Sequence, residues 1–432
     1  MKKNYLKLSM VVLVLVMILS LVACGSSEPV SEKTSEENEG KSEVTEPITL
    51  VMWDDAASAE NARVIAPIIE KWNAENPNIQ IVRDAVDVES YKMKLKTAVA
   101  AGEAPDIFFS WGAGFSQPFV EAGKILALDD YLSEDIKANL KGGVLENCTY
   151  DGKVYALPYN AWYGVLYCNT ELFEKYNLEL PTTYDELLAV SKAFRAEGVG
   201  PIGVGVSEGW TAMFYQNILA VGAAGADATN EALGGSGRYD SEEMLLAAQR
   251  LKELVDAGAF IDGYMGLNYD EFMASFKQGD IPMVYQGSWE AGEMTMEEYP
   301  VAGKVVPIKF PSDNNCYLGG AIDIYMVNAE TEYKEEAVRA LEYIAQEMSR
   351  GSLAEGIGLP VYKGELDVTT LDPVTAEIIN LTSDAEGLVL AWDTFLTPED
   401  AQKHLDLVQE LFAGVKTPEE FVAGMQSIND NK

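Results

Sequence analysis

The sequence predicts an α/β fold arranged as two lobes, preceded by a leader and a polar tether. Two observations carry this expectation. Short, β-rich apolar runs alternate with longer segments of helical period, the pattern of layered helices and strands. The chain has 432 residues, 48% of them hydrophobic, so it is far longer than one usual domain and can bury a sizeable core.

The elements follow in order. Lys2, Lys3 and Lys7 precede an apolar stretch from Leu8 to Ala23, the charged and apolar regions of a secretory leader. That stretch is shorter than the roughly 20 apolar residues a spanning helix needs. Residues 26–46 are Ser, Glu, Lys, Thr, Pro and Gly with almost nothing apolar, too little to offset ordering entropy, and read as a tether. Ile48 to Trp53 reads as the first strand, Asn61 to Trp72 as a helix, and Ile79 to Val82 as a strand. A helix through Tyr91 to Ala101 and a strand at Asp106 to Phe109 continue the rhythm. Thr183 with Glu186, Thr397 with Asp400 and Thr417 with Glu420 have capping-box spacing, and Pro398 and Pro418 suit a first helical position. The part from Thr331 onward reads as mostly helical.

Charge excludes some partners. The 31 basic and 69 acidic residues leave a formal net charge of −38, which argues against attachment to nucleic acid or to anionic headgroups. Cys148, Cys168 and Cys316 show no CxxC spacing, and either one disulfide or three thiols satisfies the sequence. With His404 as the single histidine, no metal site is expected, and no cofactor motif is read.

Leu21-Val-Ala-Cys24-Gly25 resembles a bacterial lipobox, which implies cleavage before Cys24 and its acylation. Further stretches resemble the family 1 extracellular solute-binding proteins, the group that includes maltose-binding proteins. They are Ile48-Thr-Leu-Val-Met-Trp53, Ala104-Pro-Asp-Ile-Phe-Phe-Ser-Trp111 and Gly164-Val-Leu-Tyr-Cys-Asn-Thr-Glu-Leu-Phe173. Pro181-Thr-Thr-Tyr-Asp-Glu-Leu187, Pro282-Met-Val-Tyr-Gln-Gly-Ser-Trp289, Leu318-Gly-Gly-Ala-Ile322 and Leu411-Phe-Ala-Gly414 to Met425 follow in the same order. Cys168 departs from the family, which more often has Tyr there.

The resemblance implies a two-lobe, periplasmic-binding-protein-like fold of type II, with a ligand cleft between lobes joined by a multi-segment hinge. It places a leader at 1–23, an acylated Cys and tether at 24–46, a first lobe at 47–160 plus 321–355, and a second at 161–320 plus 356–432. It also implies a monomeric, non-enzymatic ABC-importer component on the extracytoplasmic face of the membrane. That component is held only by its lipid, delivers a carbohydrate, an oligosaccharide by expectation, to the permease transmembrane subunits, and needs no cofactor.

A sugar presents apolar C–H faces and a rim of hydroxyls, so aromatic rings and carboxylates or amides are the residues to seek. Trp111, Trp162, Trp210, Trp289 and Trp392 fall near expected strand ends and are the aromatic candidates; Trp53 is a weaker one, and Trp72, mid-helix, reads as core. Gly112 and Gly114 beside Trp111 would let backbone approach a ligand. Trp289 is expected to begin a helix facing the cleft. Asp54, Asn160, Glu290, Asp323 and Asp393 are the polar candidates, with Asp55 and Glu208 behind them. These segments carry acids and no Lys or Arg, which favours a neutral polyol over an anion. A polyamine is the nearest rival, and a secreted glycoside hydrolase is the rival of another class, although no motif sets two carboxylates across one bond.

Other matches carry less. Gly205-Val-Ser-Glu-Gly209 fits GxSxG, with Asp393 and His404 following in hydrolase order, but a loop-like stretch is expected after it rather than a helix. Gly198-Val-Gly-Pro-Ile-Gly203 precedes a strand where a dinucleotide fingerprint must follow one. The sequons at Asn147 and Asn380 add nothing.

Overall fold

The computed structural model describes residues 47–55, 59–141, 143–364 and 367–430. The leader, Cys24 and the tether lie outside the described residues. No helix among those described is long and apolar enough to cross a membrane.

Among the described residues there are twelve strands: β1 Ile48–Asp54, β2 Ile79–Ala85, β3 Ile107–Trp111, β4 Thr149–Tyr150, β5 Lys153–Val154 and β6 Ala156–Asn169, then β7 Ile202–Gly203, β8 Met283–Gly287, β9 Val305–Ile308, β10 Cys316–Val327, β11 Leu359–Pro360 and β12 Gly387–Val389. Ten of them form one sheet with the path β2-β1-β3-β10-β6-β8-β7, while β9 and β11 join β6 and β12 joins β10. β1 pairs with β2 and β3 in parallel, whereas β10 runs antiparallel to both β3 and β6.

The local reasons are visible in the sequence. In β1, Leu50, Met52 and Asp54 alternate inward, as period-2 geometry requires. Helix Ala59–Glu75 buries Val64, Ile65, Ile68, Ile69 and Trp72, one stripe at helical spacing, and the Trp72 indole donates to the Ile79 carbonyl at 2.9 Å. Asp87 caps helix Val88–Ala101 through the Ser90 amide, and Gly102, at φ 73°, closes it. Thr183 with Glu186 makes a full capping box, as does Thr417 with Glu420. At Thr397 only half of the box forms. The Asp400 amide donates to Thr397, but the shorter aspartate side chain meets the threonine hydroxyl instead of its backbone N–H.

Two large apolar cores divide the sheet. One gathers Leu50, Met52, Ile65, Phe108, Tyr325 and Leu341; the other gathers Leu166, Tyr215, Leu251, Tyr285 and Phe412. β6 serves both, giving Leu157 and Tyr159 to the first and Trp162 and Leu166 to the second. β10 does the same with Ile324 and Leu318, and its register against β6 shifts between Gly320 and Asp323 and again at Ile324. Residues Ile357, Val361 and Tyr362 pack in the first core, beyond the 355 limit expected from sequence. Cys148, Cys168 and Cys316 are buried free thiols.

Candidate ligand-binding site

Where β6 and β10 pass from one core to the other, a cavity of about 1130 Å³ opens. This exceeds the roughly 300–1,000 Å³ of common small-ligand pockets. Its walls come from both cores, so residues distant in sequence meet there.

One wall is aromatic. Trp162, on β6, stacks face to face on Phe214 with centroids 5.4 Å apart and planes 11° apart, and its edge meets Trp289 at 5.1 Å. Trp210 opens helix Trp210–Leu233 and lies 5.0 Å from Tyr269 and 5.4 Å from Phe214. Trp289 sits in a single turn of 3₁₀ helix, Ser288–Glu290, shorter than the helix expected there. Its ring folds back over Gly287 so closely that a Cβ on that glycine would stand 2.0 Å from the indole. Only glycine permits this placement. The indole N–H donates to the Tyr269 hydroxyl at 3.0 Å, and that hydroxyl donates to Glu290.

Polar groups join the lining around the ends of β3, β6 and β10. Trp111 ends β3, edge-on to Phe109 and Phe115, and is paired in register with Asp323 on β10. Asp323 is in turn opposite Asn160 on β6. Asn160 is buried, and its Oδ1 has no hydrogen-bond partner among the described residues, which leaves it available to a ligand hydroxyl. Burial pushes the Asp323 carboxyl up to about 7. Burial, then the nearby charges of Asp323 and Asp54, raises Asp55 well above the usual carboxylate range. Asp393 and Glu208 line the far rim, and burial raises both. Lys92 across the cavity works against each of those two shifts, while Glu89 adds to them.

The cavity thus brings together Trp111, Asn160, Trp162, Trp210, Trp289, Glu290, Asp323 and Asp393, with Asp55 and Glu208. Two sequence candidates lie elsewhere. Trp392 is fully buried between Tyr239 and His404, each with its ring centroid 5.0 Å away, because the short helix it opens turns the indole into the core and leaves Asp393 at the cavity. Asp54 is 1% exposed and holds Arg83 through two 2.6 Å contacts, since the alternation of β1 points it away from the cavity that its neighbour Asp55 lines.

Three further expectations change. Gly112 and Gly114 approach protein rather than ligand: a Cβ there would meet the Asn147 and Phe395 carbonyl oxygens at 2.5 and 2.1 Å. Lysines do enter the lining, as Lys92, Lys96 and Lys277. They sit on helix faces, away from the strand ends where a binding site was sought. Helix Trp210–Leu233 begins directly after the GxSxG stretch, with no loop between. Ser207 nevertheless donates to the Leu267 carbonyl at 2.8 Å, and buried His404 is engaged by Asn217 and Met425. Phe214, Tyr269 and Tyr159 line the cavity without having been singled out. Tyr269 had a local signal, since it opens a helix behind the Asn268–Glu271 capping box.

A sheet shared by two cores, with a large cavity walled by both, defines the class of two-lobe solute-binding proteins. The chain belongs to the family of bacterial extracellular solute-binding proteins, whose model matches residues 56–349. A structure solved in a study of xylan utilization by the thermophilic bacterium Caldanaerobius polysaccharolyticus is 41% identical, covers 88% of this chain and 99% of that one, and superposes with a TM-score of 0.85. A chitin oligosaccharide binding protein is 27% identical, covers 89% of this chain and 98% of its own, with a TM-score of 0.82. The multiple sugar-binding protein of Streptococcus mutans is 23% identical over 83% of either chain.

Proposed function

We propose that this protein is the lipid-anchored, extracytoplasmic receptor of an ABC importer and that it takes a β-1,4-linked oligosaccharide, xylo-oligosaccharides first, without cleaving it. One observation carries the reading: a continuous aromatic wall of Trp162, Phe214, Trp289, Trp210 and Tyr269 and the polar groups of Asp55, Asn160 and Asp323 line the same cavity. Rings take the apolar faces of successive pyranoses, and the polar groups take their hydroxyls. The linkage is supported by the xylan and chitin-oligosaccharide settings of two similar structures, because both polymers are β-1,4-linked chains of flat rings.

In this account the lobes are 47–160 plus 321–355, with 357–362 joining the first, and 161–320 plus the rest of 356–432. β6 and β10 form the hinge, and the closed, loaded monomer is what the permease recognises. The ligand drives closure only through its higher affinity for the closed state. Two of the three lysines in the lining are paired, Lys92 with Glu89 at 3.0 Å and Lys277 with Glu290 at 3.1 Å, and Lys96 lies 5.4 Å from the Phe115 ring centroid, which fits a neutral ligand. Calorimetric titration with xylo-, chito- and malto-oligosaccharides and with spermidine tests the reading. Saturable binding of an intact β-1,4 oligosaccharide supports it, spermidine binding transfers the acidic groups to a cation, and sugar cleavage makes the protein an enzyme.

A further inference from the structure

We infer that Lys277 is a positioning residue for the aromatic wall, and that it acts by holding Glu290 as the acceptor for Tyr269. The inference rests on the oligosaccharide reading of this cavity for its ligand, though not for its geometry. Lys277 ends helix Tyr269–Lys277, and Tyr269 begins it, two turns away on the same side. The Lys277 ammonium reaches Glu290 Oε2 at 3.1 Å and also Glu293, and the three side chains are only 14, 6 and 3% exposed. A buried carboxylate keeps its place when a buried cation is paired with it, and the Lys277 ammonium is shared by both of these.

The consequence runs along a chain of hydrogen bonds. Glu290, held by Lys277, accepts the Tyr269 hydroxyl proton, and the Tyr269 oxygen thereby turns its lone pairs to the Trp289 indole N–H at 3.0 Å. The polar handles of Trp289 and Tyr269 are then engaged with each other and with Glu290. What Trp289 and Tyr269 show the cavity is ring surface, which selects the C–H face of a sugar. Tyr269 in turn backs Trp210 at 5.0 Å, so one cation sets three rings.

Three variants of the whole protein test this: Lys277→Met, Lys277→Arg and Tyr269→Phe, each titrated with xylohexaose and scanned by near-ultraviolet circular dichroism without ligand. Lys277→Met should weaken binding about tenfold or more, the scale of a lost aromatic contact, and change the tryptophan dichroism of the empty protein. Lys277→Arg should restore binding and dichroism, and Tyr269→Phe should reproduce the dichroic change. A Lys277→Met protein with wild-type dichroism, or a Lys277→Arg protein as impaired as Lys277→Met, overturns the relay, as does a Tyr269→Phe protein indistinguishable from wild type if the Lys277 variants do not fold. If wild type binds no oligosaccharide, the ligand reading fails, while dichroism still decides the relay.

Discussion

Replacing Gly287 by alanine should remove Trp289 from the binding wall without deleting any atom of it. The new Cβ would stand 2.0, 2.2 and 2.4 Å from three carbons of the indole, where ordinary contact is 3.4–4 Å. The ring must therefore move by more than an ångström. That motion breaks the 3.0 Å bond to Tyr269 and the edge contact with Trp162. The loss should approach that of Trp289→Ala, about 1–3 kcal/mol of binding free energy, or roughly 5- to 150-fold in Kd. Calorimetry with a xylo-oligosaccharide gives the single-mutant values, and the double mutant closes a cycle. Since both changes remove one contact, Gly287→Ala with Trp289→Ala should bind no more weakly than Trp289→Ala alone. Wild-type affinity in Gly287→Ala, or a double mutant in which the two losses simply add, would refute the placement of this ring.

Other consequences concern stability. Burial holds His404 neutral and lowers its value to about 3 from 6.5; a depressed histidine contributes stability above about pH 6.5 that is lost as pH falls towards 3, at about 1.4 kcal/mol per unit. Urea unfolding at pH 7 and 4.5 should show that slope reduced by about one proton in His404→Gln. Asp323 has the opposite sign: its folded value of about 7 lies above 3.8, so its contribution is full below pH 3.8 and lost as pH rises through 7. Asp323→Asn should accordingly gain stability over wild type at pH 8 but not at pH 4, while weakening ligand binding. Arg83→Met should cost about 3–5 kcal/mol by leaving the Asp54 carboxylate buried without its bidentate partner, measured as a lower urea midpoint at unchanged slope.

The fold was legible where local pattern and burial agree. The stripe of Val64 to Trp72, the alternation of β1 and the threonine caps are all short-range signals, and the structure follows them to within a few residues. The site was legible in part, because a tryptophan or aspartate at a strand end tends to face a cleft between layers. That reasoning fails where a one-residue step decides the direction. Asp54 and Asp55 are adjacent, yet the pleat sends the first to Arg83 and the second to the cavity. Trp392 and Asp393 divide in the same way around a helical turn. Lys277, Tyr269 and Phe214 reach the cavity from helix faces whose orientation depends on the packing of the second core, which no local window of sequence contains.

The central claim is that the cavity recognises an extended oligosaccharide through stacked rings. Calorimetric titration of the protein with xylose, xylobiose, xylotetraose and xylohexaose measures this most directly. The account predicts affinity that rises with chain length until the aromatic wall is filled, with the sugar recovered intact. Equal affinity for xylose and xylohexaose, or binding of spermidine and no sugar, would contradict it.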